Sequence, residues 1–439
     1  MKTVTLHTLG CKLNYSETST LVEKFHKRGY KTRKFGEKSD IFVLNTCTVT
    51  ENADRECRQI IRSVLSSNPD TYIIVTGCYA QLQPHEIASI QGVDLVLGTN
   101  EKFKLFDYVD GFEKKNYSCV FISPASEHTE FDYAYSSDND SRTRAFLKIQ
   151  DGCDYNCSFC TIPLARGMSR SLAINKVIEN AQRLIDSGYK EIVLTGVNTG
   201  DYHYQVQSFG TAADYYLIDV LDELNKLDIP RIRISSIEPN LLNDNIIKLV
   251  KSSPKLCKHF HIPLQSGDPD TLKRMRRRYT VEQYRTLIEK INKEIPGAAT
   301  GVDVIVGFPG ETKSSFENTV SFINSLNVSY LHVFTYSERR NTHAAGLDGR
   351  VDMPERKNRS RILREISAEK KLNFYLNNKG KTHNVLFETL QADGSINGFT
   401  DNYIKVKIMG SVETENEIMK VKITHVPGIN FAAGEILRS

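Results

Sequence analysis

The sequence predicts an α/β protein in three parts: an N-terminal parallel-sheet α/β domain, a partial (βα)6 barrel, and a small C-terminal all-β barrel. Three observations carry this. Apolar runs of strand length alternate with helix-period stretches from the start of the chain to about residue 336. That alternation is interrupted by polar, acidic stretches, Pro124-Ala-Ser-Glu-His-Thr-Glu130 and Ser136-Ser-Asp-Asn-Asp-Ser-Arg142. Beyond residue 377 the pattern becomes a period-two alternation broken by Gly turns. A chain of 439 residues is long for one core. The expected units are 1–120, a linker 121–141, a barrel 142–376 and a β module 377–439.

In the first unit, strands are expected over 3–8, 40–45, 71–76 and 93–97, with helices over 17–27 and 52–65. Ligands on such sheets bind at the carboxyl ends of the strands. Cys11, Cys47 and Cys78 sit at or just past three of those ends. Singly, each reads as a buried core thiol. At equivalent positions of successive βα units, they predict three convergent thiolates able to hold an iron–sulfur cluster with one free iron. Cys57 shares a helix stripe with Ala53, Ile60, Ile61 and Val64 and is expected in the core, and Cys119 reads as strand filler. In the second unit, strands are expected over 144–150, 191–197, 231–237, 259–264, 301–306 and 329–336. Helices over 173–186, 217–227, 242–251, 281–293 and 313–326 lie between them, which places the chemistry at the C-terminal rim.

Composition excludes several classes. Charged residues are 25% and hydrophobic residues 40%, as in soluble globular proteins, and no run approaches a membrane-spanning length. Met1-Lys-Thr-Val-Thr-Leu-His7 starts as a strand rather than a signal peptide. The net charge of +4 does not by itself imply nucleic acid. Nine cysteines without a dense framework favour a reduced, cytoplasmic setting over disulfides.

The chemistry centres on Asp151-Gly-Cys-Asp-Tyr-Asn-Cys-Ser-Phe-Cys160, directly after the strand-like Ala145-Phe-Leu-Lys-Ile149. Cys153, Cys157 and Cys160 offer three thiolates in one loop, enough to hold a [4Fe-4S] cluster while leaving one iron to a non-protein ligand. An open coordination position marks catalytic rather than structural metal sites. A zinc knuckle or a redox C-x2-C uses the same residue types, but zinc needs a fourth ligand and none is obvious nearby. The spacing resembles that of radical S-adenosylmethionine (SAM) enzymes, in which the open iron takes the amino acid end of SAM. On later rims, Gly196 lets backbone approach a charged ligand. Glu238 can accept from an ammonium or ribose hydroxyls, and Gln265 and Gly307 offer polar and backbone groups. Glycine at such positions equally makes turns.

Over essentially its whole length the sequence resembles the methylthiotransferase family of radical SAM enzymes. The matching blocks include Leu9-Gly-Cys-Lys-Leu-Asn14, Asn45-Thr-Cys-Thr-Val-Thr50, Thr76-Gly-Cys-Tyr-Ala-Gln81, the cysteine loop, Arg166-Gly-Met-Ser-Arg-Ser171, His261-Ile-Pro-Leu-Gln-Ser-Gly267 and Val304-Ile-Val-Gly-Phe-Pro-Gly-Glu-Thr312. The resemblance implies an auxiliary [4Fe-4S] cluster on Cys11, Cys47 and Cys78 and a SAM cluster on Cys153, Cys157 and Cys160. It also implies two SAM molecules, a radical step and a sulfide on the auxiliary cluster. The first two blocks resemble the branch that modifies C2 of N6-threonylcarbamoyladenosine next to the anticodon, at tRNA position 37. The isopentenyl-adenosine branch tends to carry Gln and Met where this chain has Lys12 and Leu13, and a ribosomal-protein branch shares the core motifs. Two positions depart from the family pattern, Asn341 where Gly is common and Asp268 where a small or amide residue is usual, both in rim loops expected to touch substrate.

By the same resemblance, 377–439 is a TRAM-type RNA-binding barrel. Lys405 and Lys407 alternate onto one strand face as candidate phosphate contacts. The run Lys273, Arg274, Arg276, Arg277 and Arg278, beside the fourth rim loop, is expected to contact the tRNA backbone, and a splayed loop base suits protein recognition of RNA. The implied partners are tRNA, an electron donor such as flavodoxin or ferredoxin and a sulfur source, with no membrane. A rival of another class is a non-enzymatic iron–sulfur RNA-binding regulator, which would not cleave SAM to 5′-deoxyadenosine.

Overall fold

Residues 2–48, 51–109, 111–136, 143–208 and 211–437 are described by the computed structural model. The N-terminal unit is a six-stranded sheet ordered Lys31–Thr32, Thr3–Thr8, Ile41–Thr46, Tyr72–Gly77, Val93–Leu97, Cys119–Phe121, every pair parallel. Every residue of Ile41–Thr46 and Tyr72–Gly77 is buried, as central parallel strands covered on both faces require. Phe25, Ile74 and Leu97 pack on one face, and Cys57, Ile61 and Val75 on the other. Cys57 is thus core, and Cys119 begins the edge strand. The first helix, Lys12–His26, starts directly after Cys11 rather than at residue 17. Its buried Asn14, Ser16 and Glu17 are polar, which hides the helical period from an apolar reading of the sequence.

The second unit is an arc of six parallel strands made of two sheets. One orders Arg231–Ile234, Glu191–Thr195 and Arg144–Lys148, and the other His259–His261, Ala299–Val306 and Tyr330–Thr335. Parallel bridges Ile232 to Leu256 and Ser236 to His261 join them. Side chains alternate along each strand. Ala145, Leu147, Ile192, Leu194, Val302 and Val304 face the outer helices and form the main core. The alternate set, including Glu191, Arg233, His259, His261, Asp303 and His332, gives the concave face an unusually polar character. The partial (βα)6 barrel is as expected. Unanticipated are the hairpin His203–Ser208 with Thr211–Tyr216 and the 24-residue helix Met353–Leu376. Asp352 caps that helix by accepting from the Glu355 backbone N–H at 2.9 Å.

The third unit is a closed barrel ordered Thr382–Leu390, Ser395–Thr400, Lys405–Met409, Ala432–Ile436, Ile418–His425, filled by Val385, Phe387, Ile396, Val406 and Ile423. It abuts the N-terminal ends of the arc's strands. Arg231 donates to the carbonyls of Phe399 (2.7 Å) and Asn384 (2.5 Å), Arg233 donates to that of Asp401 (3.1 Å), and Arg144 pairs with Glu388. Of the expected linker 121–141, Ala125–Glu127 is one helical turn, Tyr135 bridges to Leu147, and 137–141 lie outside the described residues.

Candidate active site between two cysteine triads

The loop bearing Cys153, Cys157 and Cys160 leaves the first barrel strand through a sharp corner. Gly152 has φ +70°, and a Cβ there would stand 1.9 Å from the Met168 carbonyl oxygen, so only glycine fits. The loop is braced by its own backbone: Cys153 N–H donates to Gly167 (3.1 Å), Ser158 N–H to Met275 (3.1 Å), and Ala344 N–H to Ser158 (2.7 Å). The N–H groups of Tyr155 and Ile162 point at the sulfurs of Cys153 (3.4 Å) and Cys160 (3.5 Å). Burial pushes the Cys153 and Cys160 thiols up to about 12 and raises that of Cys157 as well. Thiolates form here only with a strong local positive charge, which a metal cluster supplies. A set of three soft donors with N–H groups directed at the sulfurs fits an iron–sulfur cluster.

Arg277 donates to Cys157 Sγ at 2.9 Å and pairs with Glu238, its side chain only 3% exposed. It therefore leaves the set of expected phosphate contacts, because the turn at Arg276 (φ +58°) sends the next side chain inward. Arg274 pairs with Asp348 at 2.9 Å, and Arg278 lies 4.0 Å over the Tyr155 ring while donating to the Asp154 carbonyl. Lys273, Arg276 and Arg278 are exposed.

Around this loop the strand ends carry polar groups with no protein partner: Thr195 Oγ1, Asn198 Nδ2, Ser235 Oγ and Gln265 Oε1. Gln265 holds φ +67°, a conformation that glutamine rarely adopts. Gly196 leaves room for Gln150, whose Oε1 a Cβ would approach to 2.8 Å and which accepts from Asn198 N–H at 2.9 Å. Gly196, Glu238 and Gln265 thus lie just past the ends of barrel strands, where the unpaired donors and acceptors have the chemistry to meet a zwitterionic ligand. Gly307 (φ +75°) instead admits the Arg356 side chain, which would meet its Cβ at 2.3 Å and which pairs with Glu338 at 2.5 Å.

The second triad forms at the ends of adjacent parallel strands. Cys11 follows Thr3–Thr8, Cys47 follows Ile41–Thr46, and Cys78 opens a short helix after Tyr72–Gly77. Glycine lets these ends crowd together: a Cβ on Gly10 (φ +106°) would lie 2.5 Å from Cys47 Cβ, and one on Gly77 (φ +99°) 2.4 Å from the Thr46 carbonyl oxygen. Asn14 ties them by donating to the carbonyls of Leu9 (2.9 Å) and Thr46 (3.1 Å). Cys47 and Cys78 are buried. Cys11 is reached by solvent, yet the surrounding protein raises its thiol, so it stands in a concavity.

Between the triads lies Arg166, 1% exposed, on the short helix Ile162–Arg166 that follows Cys160. It donates to Asn14 Oδ1 (2.7 Å), Glu17 Oε1 (2.9 Å) and Asp151 Oδ1 (3.0 Å). Lys102 pairs with Glu17 at 2.5 Å, and Lys148 with Asp151 at 2.7 Å. Burial opposes charge on Glu17 and Asp151, but the surrounding cations overrule it and hold both carboxyls well below their usual range. Arg166 is also near enough to Cys11 and Cys78 for their charges to act on one another. The two triads thus flank one buried charge cluster. Sequence reasoning quoted Arg166 within a motif but gave it no role, and nothing in a single sequence pairs it with Glu17 and Lys102.

A second tie joins the barrel to the N-terminal unit where Arg339 bonds Thr48 Oγ1 and Asp54 Oδ2, both at 2.5 Å. Close by, Asn341 has φ +64°, the left-handed region where glycine is favoured and asparagine tolerated. Asp268 is buried and caps the helix Pro269–Arg274, accepting from Thr271 N–H at 2.8 Å and from Asn318 at 3.0 Å. Asn341 thus holds an exposed turn and Asp268 a buried helix end.

The helix Met353–Leu376 carries Lys357, Arg361, Arg364 and Lys371, spaced four, three and seven apart and so on one face. Arg361 pairs with Glu365 at 2.7 Å, while Lys357, Arg364 and Lys371 border two clefts. One, of about 430 Å³, includes Arg55, Tyr336, Lys357 and Arg364. The other, of about 420 Å³, includes His332, Arg364, Lys371, Tyr403 and Lys405. Lys407 turns instead to Asp393 at 3.4 Å. This row was missed; its spacing was legible, but the helix bearing it was not.

The radical SAM superfamily model matches residues 147–323, and that of the uncharacterized protein family UPF0004 matches residues 3–98. The chain is 41% identical to the threonylcarbamoyladenosine tRNA methylthiotransferase of Bacillus subtilis, with 100% of this chain and 97% of that one covered. It is 36% identical to the protein of the same name from Aquifex aeolicus, covering 93% and 97%. To the tRNA-2-methylthio-N(6)-dimethylallyladenosine synthase of Clostridium tetani it is 30% identical, covering 98% and 96%. Among solved structures, the radical S-adenosylmethionine methyltransferase TsrM from Kitasatospora setae, with cobalamin and a [4Fe-4S] cluster bound, superposes with a TM-score of 0.55 at 15% identity over 78% of this chain and 77% of that one, a likeness of fold.

Proposed function

Because the chain belongs to the methylthiotransferase family of radical SAM enzymes, we propose that it adds a methylthio group to C2 of N6-threonylcarbamoyladenosine at tRNA position 37. It is an enzyme that uses SAM and [4Fe-4S] clusters to methylthiolate tRNA. The observation that supports methylthiolation is the pair of cysteine triads on either side of Arg166, and the higher identity to the threonylcarbamoyladenosine enzymes supports the finer choice of substrate. Bound clusters and SAM supply the radical chemistry that an aromatic C–H, lacking a leaving group, demands.

The chain's own part is to hold and orient. Cys153, Cys157 and Cys160 would carry the SAM cluster, while Gly196, Glu238 and Gln265 receive SAM. Glu238, set against Arg277, lies where it can take the SAM ammonium or a ribose hydroxyl. Cys11, Cys47 and Cys78 would carry the auxiliary cluster. The apolar group Phe159, Met275, Phe308 and Tyr336 backs the first loop and keeps water from it. Lys273, Arg276 and Arg278 at the rim, with Lys357, Arg364, Lys371 and Lys405 along the long helix and the C-terminal barrel, would track the tRNA backbone. The C-terminal barrel would serve as a TRAM-type RNA module. A low-potential electron donor of flavodoxin or ferredoxin type and a sulfur source complete the reaction in the cytoplasm.

The test is mass spectrometry of digested tRNA from cells with and without the gene. The 2-methylthio form of N6-threonylcarbamoyladenosine should vanish on deletion and return with the wild-type gene but not with Cys157→Ala. Loss of the isopentenyl product instead would transfer the substrate to that branch, and no lost methylthio nucleoside would end the reading.

A further inference from the structure

Lys12 opens the helix Lys12–His26, next to Cys11. Tyr15, on the following turn, meets Phe146 of the first barrel strand edge-on with ring centroids 5.6 Å apart, and Asn14 binds Arg166. This helix end therefore faces the open side of the arc. Solvent reaches Lys12, yet burial is the foremost influence on its ammonium, which marks a concavity rather than a convex surface. Within electrostatic reach are Tyr403, Arg233, Arg144 and Glu191, and Lys12 acts in turn on the imidazoles of His259 and His332.

The other charges in this set have partners. Arg233 pairs with Glu191 at 2.7 Å, Arg144 with Glu388, and Asp303 with His261 Nε2 at 2.7 Å. Lys12 makes no ion pair among the described residues. His259, 4% exposed, keeps Nδ1 without a partner. His261, Asp303 and His332 bring ligating atoms within 4.8 Å of one another, a spacing that a divalent cation accepts. With the unpaired Lys12 ammonium close by, however, the pocket favours an anion over another cation.

We propose that this pocket, lined by His332 and Tyr403 and within reach of Lys12 at the start of the first helix, receives a carboxylate on the side group of the modified adenosine, with Lys12 as counter-ion and as the residue that selects an anionic over a neutral substrate. The inference rests on the threonylcarbamoyladenosine reading: that side group ends in a carboxylate, whereas a dimethylallyl group ends in hydrocarbon. The groove containing His332, Tyr403, Lys371 and Lys405 opens this pocket to the row of cations on the long helix.

The test uses anticodon stem-loop RNA carrying threonylcarbamoyladenosine, and the same RNA with its threonine carboxylate converted to the primary carboxamide. Binding is measured for the wild-type holoenzyme, Lys12→Gln and Lys12→Arg. The carboxamide should raise the wild-type Kd about tenfold or more, the worth of a charge-assisted contact. Lys12→Gln should bind both RNAs alike, and Lys12→Arg should keep the preference for the acid. Equal wild-type affinities for acid and amide overturn the inference, and that arm needs no variant to fold. So does a divalent metal retained by the wild type beyond its cluster iron and lost in His332→Ala. Wild-type enzyme that methylthiolates dimethylallyl RNA but not threonylcarbamoyl RNA would instead sink the substrate reading itself, an outcome distinct from equal binding.

Discussion

Glu191 shows how far single residues here depend on their neighbours. It is fully buried, and burial alone would raise its carboxyl. Arg233 foremost, then Arg231 and Arg144, bring it down to about 2 from an ordinary value of 4.5. A carboxyl depressed in the folded state stabilises fully above about 4.5, and that contribution drains away as pH falls toward about 2. Urea midpoints measured across this window should drop by an amount equivalent to about 3 kcal/mol, and Glu191→Gln should flatten the drop. The six cysteines proposed as ligands were legible as candidates residue by residue because their spacing and strand-end positions are local. Glu17, Arg166, Lys102 and Arg277 were not, because what defines each of them is a partner far away in the chain.

At the scale of elements, the row of cations on Met353–Leu376 makes a separate claim. Replacing Lys357, Arg364 and Lys371 together with Gln leaves the buried Leu363 and Tyr375 of that helix untouched. Such a variant should fold as before but bind tRNA more weakly. The slope of log affinity against log salt should fall by about 2, the signature of lost phosphate contacts. An unchanged slope in a salt titration would remove this helix from the RNA path. The same element shows where reading the sequence by apolar period stops. The barrel strands were found because their alternate residues are apolar and pack outward. The long helix has few buried apolar residues, and the hairpin from His203 to Tyr216 few apolar anchors, so neither announces itself. The first helix was shortened for the reverse reason: its buried face is polar.

For the whole molecule, the charge cluster around Arg166 is the joint between the N-terminal unit and the barrel. Glu17→Gln would leave Arg166, Lys102 and Lys148 short of one buried anion, a change expected to cost about 3–5 kcal/mol. Calorimetry should show the single melting transition split into two as the units uncouple. A variant that keeps one unsplit transition at the wild-type temperature would show that the joint contributes little. The C-terminal barrel is held differently, at the base of the arc, by guanidinium groups that donate to its backbone carbonyls and by a few of its side chains, Glu388 paired with Arg144 and Tyr403 stacked on His259.

That difference governs how the protein can be recombined. A C-terminal barrel from a relative needs its carbonyls in place and counterparts of Glu388 and Tyr403 to be accepted. A foreign N-terminal unit must bring an acid to face Arg166, a lysine to match that acid, and a glycine corner before the first and third cysteines, Cys11 and Cys78. The transplantable piece therefore does not stop at the boundary between the folded units. It runs on through the cysteine loop to Arg170, and a graft cut at the linker would unite halves of two locks.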